Sequence, residues 1–350
     1  MRPASQTADL DEPDRIEGQP HPRETYGLVG QDEALARAAR AIRSTRMPQG
    51  WLLAGEPGIG KATLAYRIAR YLLRYGATDG GPPDLSVGPG ELVSRQVEAR
   101  AHPGLLVLKR PWDEKNKRLK TVITVDEIRR LGEFFGLKSA SGGWRIALID
   151  SVDEMSEQAA NALLKNLEEP PPNSLVILIS HAPGRLLPTI RSRVQRLDLK
   201  PLGEHVIEQL LETRAPELDV RTRSALARVA EGSIGLALRL SGDDGAELAQ
   251  QAEDLISAGD VPDWRAVLKL AERIGRRSDD LERFGEFLNR AVSRRVRAMA
   301  GEGRGGERSM NLAEQMRALF ARAVEVNLEP RQTVVMATTL IANAKQHGAL

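Results

Sequence analysis

The sequence predicts a parallel α/β sheet built around a phosphate-binding loop, followed by a second half made only of helices. Three observations carry this. The stretch Trp51-Leu-Leu-Ala-Gly55-Glu-Pro-Gly-Ile-Gly60-Lys61-Ala62-Thr63 runs from an apolar strand through a glycine-rich turn into a helical pattern. Beyond it, the apolar runs 105–108, 145–149 and 175–179 alternate with helical periodicity, as in strands covered on both faces. After Pro201 only amphipathic helical patterns remain.

At 350 residues the chain has room for two or three domains. Its 41% hydrophobic and 28% charged residues are those of a globular protein. A net charge of +2 demands no nucleic-acid partner, although a local basic face can still exist. The absence of cysteine excludes disulfides, thiolate zinc sites and cysteine nucleophiles, and five scattered histidines suggest no metal centre. No apolar run approaches the ~18 residues of a membrane span, and the N-terminus has no apolar signal core. A cytoplasmic protein without membrane contact is expected.

Residues 1–24, rich in Pro, Asp, Glu, Gln and Arg, read as a disordered tail. Tyr26-Gly-Leu-Val-Gly-Gln31 leads into a helix from Asp32 to about Arg46, and Pro48-Gln-Gly50 breaks to the first strand. The Gly- and Pro-rich segment Ala77–Gly90 is a loop. After the strand Leu105–Leu108 come Lys109, Arg110, Trp112, Lys115, Lys117, Arg118 and Lys120. This basic patch suits either a solvated hairpin or a contact to nucleic-acid phosphates. Thr124-Val-Asp-Glu127 has capping-box spacing before the helix Ile128–Phe135. The strand Arg145–Ile149 ends in Asp150, and the helix Ser156–Glu168 aligns Ala159, Ala160, Leu163, Leu164 and Leu167 before Pro170–Pro172 stop it. Leu175–Ile179 is a further strand and Val194–Leu199 an edge strand. Helices at about 204–213, 219–230 and 234–241 form a small unit, expected as a domain over 201–242. Helices at 246–257, 263–275, 281–299, 311–326 and 330–345 follow, expected as an all-α domain over 243–350.

The glycine turn has a clear chemistry. Gly55, Gly58 and Gly60 let backbone N–H groups converge on one anion, Lys61 adds a point charge, and the following helix presents its positive end. Pro57, Ile59, Ala62 and Thr63 complete the candidate nucleotide cradle. The pattern G-x-x-x-x-G-K-[ST] needs a hydroxyl after the lysine to hold magnesium, and here that position is Ala62. Thr63 comes one residue late, about 100° further around the helix. Asp150, at the end of an apolar strand, is the candidate carboxylate for a magnesium shell; alone it reads equally well as a helix cap.

The segments Asn161-Ala-Leu-Leu-Lys-Asn-Leu-Glu-Glu-Pro-Pro171 and Ser192-Arg193-Val194 give the chain a family likeness. The helix resembles the N-A-L-L-K-x-L-E-E-P-P helix of the clamp-loader branch of the AAA+ ATPases. The tripeptide resembles that branch's S-R-C motif, with Val194 in place of the cysteine. With Leu28-Val-Gly-Gln31, the P-loop and His102-Pro103, the likeness covers about 25–242, and the helical remainder agrees in length and class. It implies a five-stranded AAA+ P-loop domain over 25–200, a small helical lid over 201–242 and a helical collar over 243–350. It also implies membership of a ring that loads a sliding clamp on primed DNA, beside gamma/tau-type ATPase subunits and a further delta-type subunit.

Several positions depart from the hydrolysing gamma/tau pattern. That pattern has Thr or Ser after the lysine and Glu after the strand-end aspartate, whereas this chain has Ala62 and Ser151. Gly232-Ser-Ile-Gly235 puts glycine where the motor subunits resemble G-S-x-R. The four-cysteine zinc module of many members is impossible here. The likeness therefore implies a socket holding ATP or ADP without hydrolysis and without zinc. It also assigns Arg193 as an arginine finger acting in trans, in the ATP site of a neighbouring subunit. Ser180 and His181 fall where the family has its first sensor. The alternative is an autonomous gamma/tau-like ATPase.

Overall fold

The computed structural model describes residues 15–16, 18–78, 80–113, 118–136, 143–242, 245–275, 280–302, 306–326 and 328–350. They divide into two compact units, 1–206 with 232–236, and 207–231 with 237–350.

The first unit is a three-layer α/β/α structure. Its strands are β1 (Gly50–Ala54), β2 (Leu105–Leu108), β5 (Arg145–Ile149), β6 (Ser174–Ser180) and β7 (Gln195–Asp198), in the order β2-β5-β6-β1-β7. Every pairing is parallel, as the continuous apolar runs require. Between β2 and β5 the short strands β3 (Trp112–Asp113) and β4 (Arg118–Leu119) pair antiparallel. Lys115 and Lys117 of the expected basic hairpin lie outside the described residues.

Alternation along each strand feeds two cores. Trp51 and Leu53 join Ile146, Leu148, Leu175, Ile177 and Leu197 under α1 (Asp32–Ile42), α2 (Lys61–Tyr75) and α3 (Leu92–Glu98). Leu52 and Ala54 join Ala147, Ile149, Val176 and Leu178 under α4 (Val125–Gly136), α5 (Glu157–Glu168) and the short α6 (Pro188–Arg191). Ser156 caps α5 by accepting from Ala159 N at 3.2 Å.

The tail expected over 1–24 needs correction at its end. Residues 1–14 and 17 lie outside the described residues, but Pro22–Glu24 form a 3-10 turn capped by His21, and His21 and Arg23 are buried. The Arg23 carbonyl accepts from Arg70 of α2 and the His21 ring packs edge-on against Tyr66, so the first unit extends at least to His21. α1 stops at Ile42 rather than near Arg46, and α3, absent from the sequence reading, follows the loop.

The remaining helices are α7 (Glu204–Arg214), α8 (Val220–Val229), α9 (Ile234–Ser241), α10 (Gly245–Ser257), α11 (Trp264–Ile274), α12 (Asp280–Gly301), α13 (Glu307–Glu325) and α14 (Pro330–Gln346). In the second unit α8 packs on α10, α10 on α12, α11 on α14, and α13 on both α12 and α14. Residues 207–231 thus cluster with the C-terminal helices rather than forming a third body with 232–242, and 232–236 belong to the first unit. Phe284, Phe287, Leu288, Ala291, Val292 and Met299 of α12 are buried at helical spacing. Glu253 is buried and receives two hydrogen bonds from Arg294 Nη2, at 2.5 and 2.6 Å. No described helix is long and apolar enough to cross a membrane.

Candidate functional site

β1 delivers the chain into the glycine turn at the C-terminal edge of the sheet, where open parallel sheets place their ligands. Gly58 and Gly60 take φ of +75° and +105°, values that a side chain resists. At Gly58 the restriction is doubled, because an added Cβ would sit 2.4 Å from Ser233 Oγ. α2 begins at Lys61 with no side-chain cap and no acidic residue in its first turn, which leaves its leading N–H groups to an anion. Lys61 is buried, and its Nζ donates to Gly55 O at 2.7 Å and Glu56 O at 2.6 Å.

Two long-range elements fix this turn. The buried Gln31 donates to Ile59 O at 3.1 Å and Lys200 O at 2.7 Å, and accepts from Lys200 N, tying the turn to the end of β7. On another side Ser233 Oγ donates to Pro57 O at 2.8 Å and Gly235 N to Gly58 O at 2.9 Å. Gly235 is so close that an added Cβ would lie 2.8 Å from Gly58 Cα. Gly235 is therefore a close-packing residue against the glycine turn.

Asp150 ends β5, and its N–H donates to Leu108 O at 2.8 Å. Its side chain lines a hollow along β2 with His102, Lys109 and Arg130, and none of residues 55–63 lines that hollow. Burial pushes the His102 imidazole below its ordinary pKa, and its Nδ1 accepts from Gly104 N at 3.0 Å, which favours the neutral ring. Next to Asp150, Ser151 occupies the left-handed region at φ +62°, and its Oγ lies 3.1 Å from His181 Nε2. Asp153 accepts from Ser180 Oγ at 2.6 Å and from His181 N and Ala182 N, while Glu154 pairs with Arg110 at 2.7 Å. Both downstream carboxylates are thus engaged by other groups of the protein.

Arg193 follows α6 on the other side of the sheet. Its side chain is 35% exposed, Nη2 lies 2.7 Å from Glu168 Oε1, and Nη1 donates to Thr189 O at 3.0 Å. Arg191 is exposed and has no side-chain partner among the described residues.

Sequence reasoning missed the strap that closes the outer side of α2. Arg70 is 1% exposed; it donates to Arg23 O at 2.8 Å and Thr25 O at 2.9 Å, and its guanidinium lies 4.4 Å from the centre of the Tyr26 ring. Burial holds its pKa below the usual arginine value. Arg67 donates to Tyr26 O at 3.0 Å and pairs with Asp84 at 2.8 Å, and Tyr26 Oη donates to Glu98. The available signal was three arginines, 67, 70 and 74, at helical spacing in an otherwise apolar helix.

Residues 30–203 match the family described as DNA polymerase III, delta subunit. Among curated proteins, the delta-prime subunit of Pseudomonas aeruginosa is 35% identical over 193 residues, 55% of this chain and 55% of that one. The Escherichia coli delta-prime subunit is 30% identical over 219 residues, 62% of each chain. The E. coli tau subunit is 29% identical over 324 residues, 88% of this chain but 45% of that one. The matches thus span roughly half of these relatives' own length, 45% to 62%. A gamma-subunit-related protein of Thermotoga maritima has 19% identity and a TM-score of 0.37, covering 90% of this chain and 99% of its own. The T. maritima RuvB branch-migration motor has 16% identity and a TM-score of 0.43, covering 78% of this chain and 92% of its own. Residues 30–203 of the chain are thus similar to the DNA polymerase III delta-subunit family, and the curated proteins it resembles include bacterial delta-prime subunits.

Proposed function

We propose that this chain is the delta-prime, or stator, subunit of a DNA polymerase III clamp loader. In this reading it helps load a sliding clamp on primed DNA in the cytoplasm, beside gamma/tau and delta subunits, and supplies Arg193 in trans to a neighbouring ATPase site. One observation carries the reading. The two positions a hydrolysing P-loop subunit needs for magnesium and for water activation hold Ala62 and Ser151, and Ser151 is already bonded to His181.

The residues present suit half of a nucleotide site. The glycine turn, the uncapped start of α2 and Lys61 suit phosphate oxygens. For magnesium, position 62 offers no hydroxyl. ATP or ADP bound here would be held through Gly55–Thr63 without metal-assisted hydrolysis. Arg193, by contrast, is a planar fork on an exposed turn. Such a group neutralises charge on a transferring phosphoryl, an effect worth roughly 10³–10⁵ in rate.

An ATPase assay tests the proposal. The isolated chain should turn over negligibly, the complex reconstituted with gamma/tau and delta subunits should turn over, and Arg193→Ala should lose the turnover of the site it serves. Robust turnover by the isolated chain would instead identify a gamma/tau-like motor.

A further inference from the structure

The two edge strands of the sheet are finished differently. β7 carries charge at its exposed positions, Arg196 and Asp198, and Arg37 Nη2 donates to Arg196 O at 3.1 Å, so a side chain already meets that edge. β2 is Leu-Leu-Val-Leu, with no charge in it, and Leu105, Leu106 and Val107 stay half-buried while β1 and β6 are buried throughout. Among the described residues no strand pairs with its outer side. Its ladder to β5 uses the carbonyls of Gly104 and Leu108, which accept from Ile146 N and Asp150 N, each at 2.8 Å. Backbone groups alternate sides along a strand, so the N–H and C=O of Val107 point outward. A hollow of about 260 Å³ lies off this edge: Tyr66 of α2 and Val97 of α3 line it from one covering layer, and Arg130 of α4 from the other.

We propose that β2 takes up an extended acidic segment of a partner protein as an added strand, its backbone on Val107 and its carboxylates on the cations around the hollow. Open backbone groups flanked by half-buried aliphatic side chains are what strand addition uses. Charge selects the occupant. Arg23, Arg100, Lys109 and Arg130 line the hollow against one carboxylate, Asp150. Arg23 is buried and pairs with Glu24, and Arg130 pairs with Glu127. Arg100 is exposed and Lys109 directly follows β2, so these two are placed to meet an incoming chain. A second copy of this chain would set the same cations against one another. A nucleic-acid strand brings phosphates but no alternating N–H and C=O groups to match Val107. The proposal is independent of the role given to Arg193.

Fluorescence anisotropy tests this with the full chain and a labelled peptide of alternating glutamate and valine, beside its lysine–valine counterpart and a short oligothymidylate. The acidic peptide should bind, and the other two should not. Val107→Pro removes the outward N–H without touching the ladder to β5, at a position where sheet edges tolerate proline. It should weaken binding by about tenfold or more. The double variant Arg100→Gln with Lys109→Gln should lose about as much and leave the remaining binding less sensitive to salt. Thermal melting checks that each variant is folded, and if Val107→Pro is not, the double variant decides. No binding of the acidic peptide, or binding unchanged in the folded variants, would overturn the proposal. Oligothymidylate binding that the double variant loses would reassign the hollow to nucleic acid. Peptide binding seen only after removal of residues 1–14 would assign the edge to this chain's own acidic stretch 9–14 and overturn the partner reading.

Discussion

At the scale of single residues, buried charge decides where the first unit begins. An arginine that is 1% exposed would carry a heavy desolvation cost if its donors lacked partners. Arg70 finds those partners in the carbonyls of Arg23 and Thr25 and in the face of Tyr26, which turns a polar N-terminal segment into a fixed strap. Arg70→Met keeps the bulk but leaves both carbonyls without their donor. It should cost about 2–4 kcal/mol, at roughly 1–3 kcal/mol per abandoned buried group. Thermal melting should report the loss, and limited proteolysis should cut within 21–28 first. A melt within a degree of the parent would show the strap to be ornamental. Its composition hid it from sequence reasoning, because Pro, Glu, Arg and Thr read as solvated chain. Only the long-range partners on α2 and at Glu98 make the segment ordered.

At the scale of elements, legibility followed burial geometry. Strands β1, β5 and β6 are covered on both faces, so each carries a continuous apolar run and their existence was plain. The edge position of β7 was also legible, since only Leu197 of its four residues is buried. α3 was missed because Val93 and Val97 are its only buried apolar positions, too few to display a period. The roof formed by Ser233 and Gly235 was invisible because its hydrogen bonds to Pro57 and Gly58 span some 176 residues of chain. In the second unit the helix α12 was legible from its pattern, but not the reason for Gly285 within it. An added Cβ there would lie 2.4 Å from Phe320 Cδ1, and the Phe284 and Phe320 rings meet edge-on at 6.3 Å. Gly285→Ala gains helix propensity of up to ~1 kcal/mol yet overpacks the α12–α13 contact at about 1–3 kcal/mol. Net destabilisation in a denaturant titration is expected; a stabilised protein would mean that α13 shifts freely along α12.

At the scale of the molecule, the P-loop unit is assembled from two stretches of chain, since 232–236 return to it after α8. The turn is therefore held by Gln31 and Lys61 from within and by Ser233 and Gly235 from the returning segment. The proposed function leaves this setting only the phosphate-binding half of the usual chemistry, and this gives a test independent of turnover. A P-loop with its hydroxyl binds nucleotide as a magnesium complex, so chelation weakens it. Here Ala62 supplies no ligand, and Asp153 is committed to Ser180 and the amides of His181 and Ala182. Any ADP affinity should therefore be the same in excess magnesium and in EDTA, within about twofold, and should fall by tenfold or more in Lys61→Ala, which removes a full charge from the phosphates. Calorimetric titration of ADP in the two buffers measures both. A magnesium-dependent gain of tenfold or more would show that another oxygen, Thr63 Oγ1 or Asp150, reaches the metal after all. The subunit would then have to be regarded as a hydrolysis-capable ATPase rather than as the donor of an arginine to its neighbour.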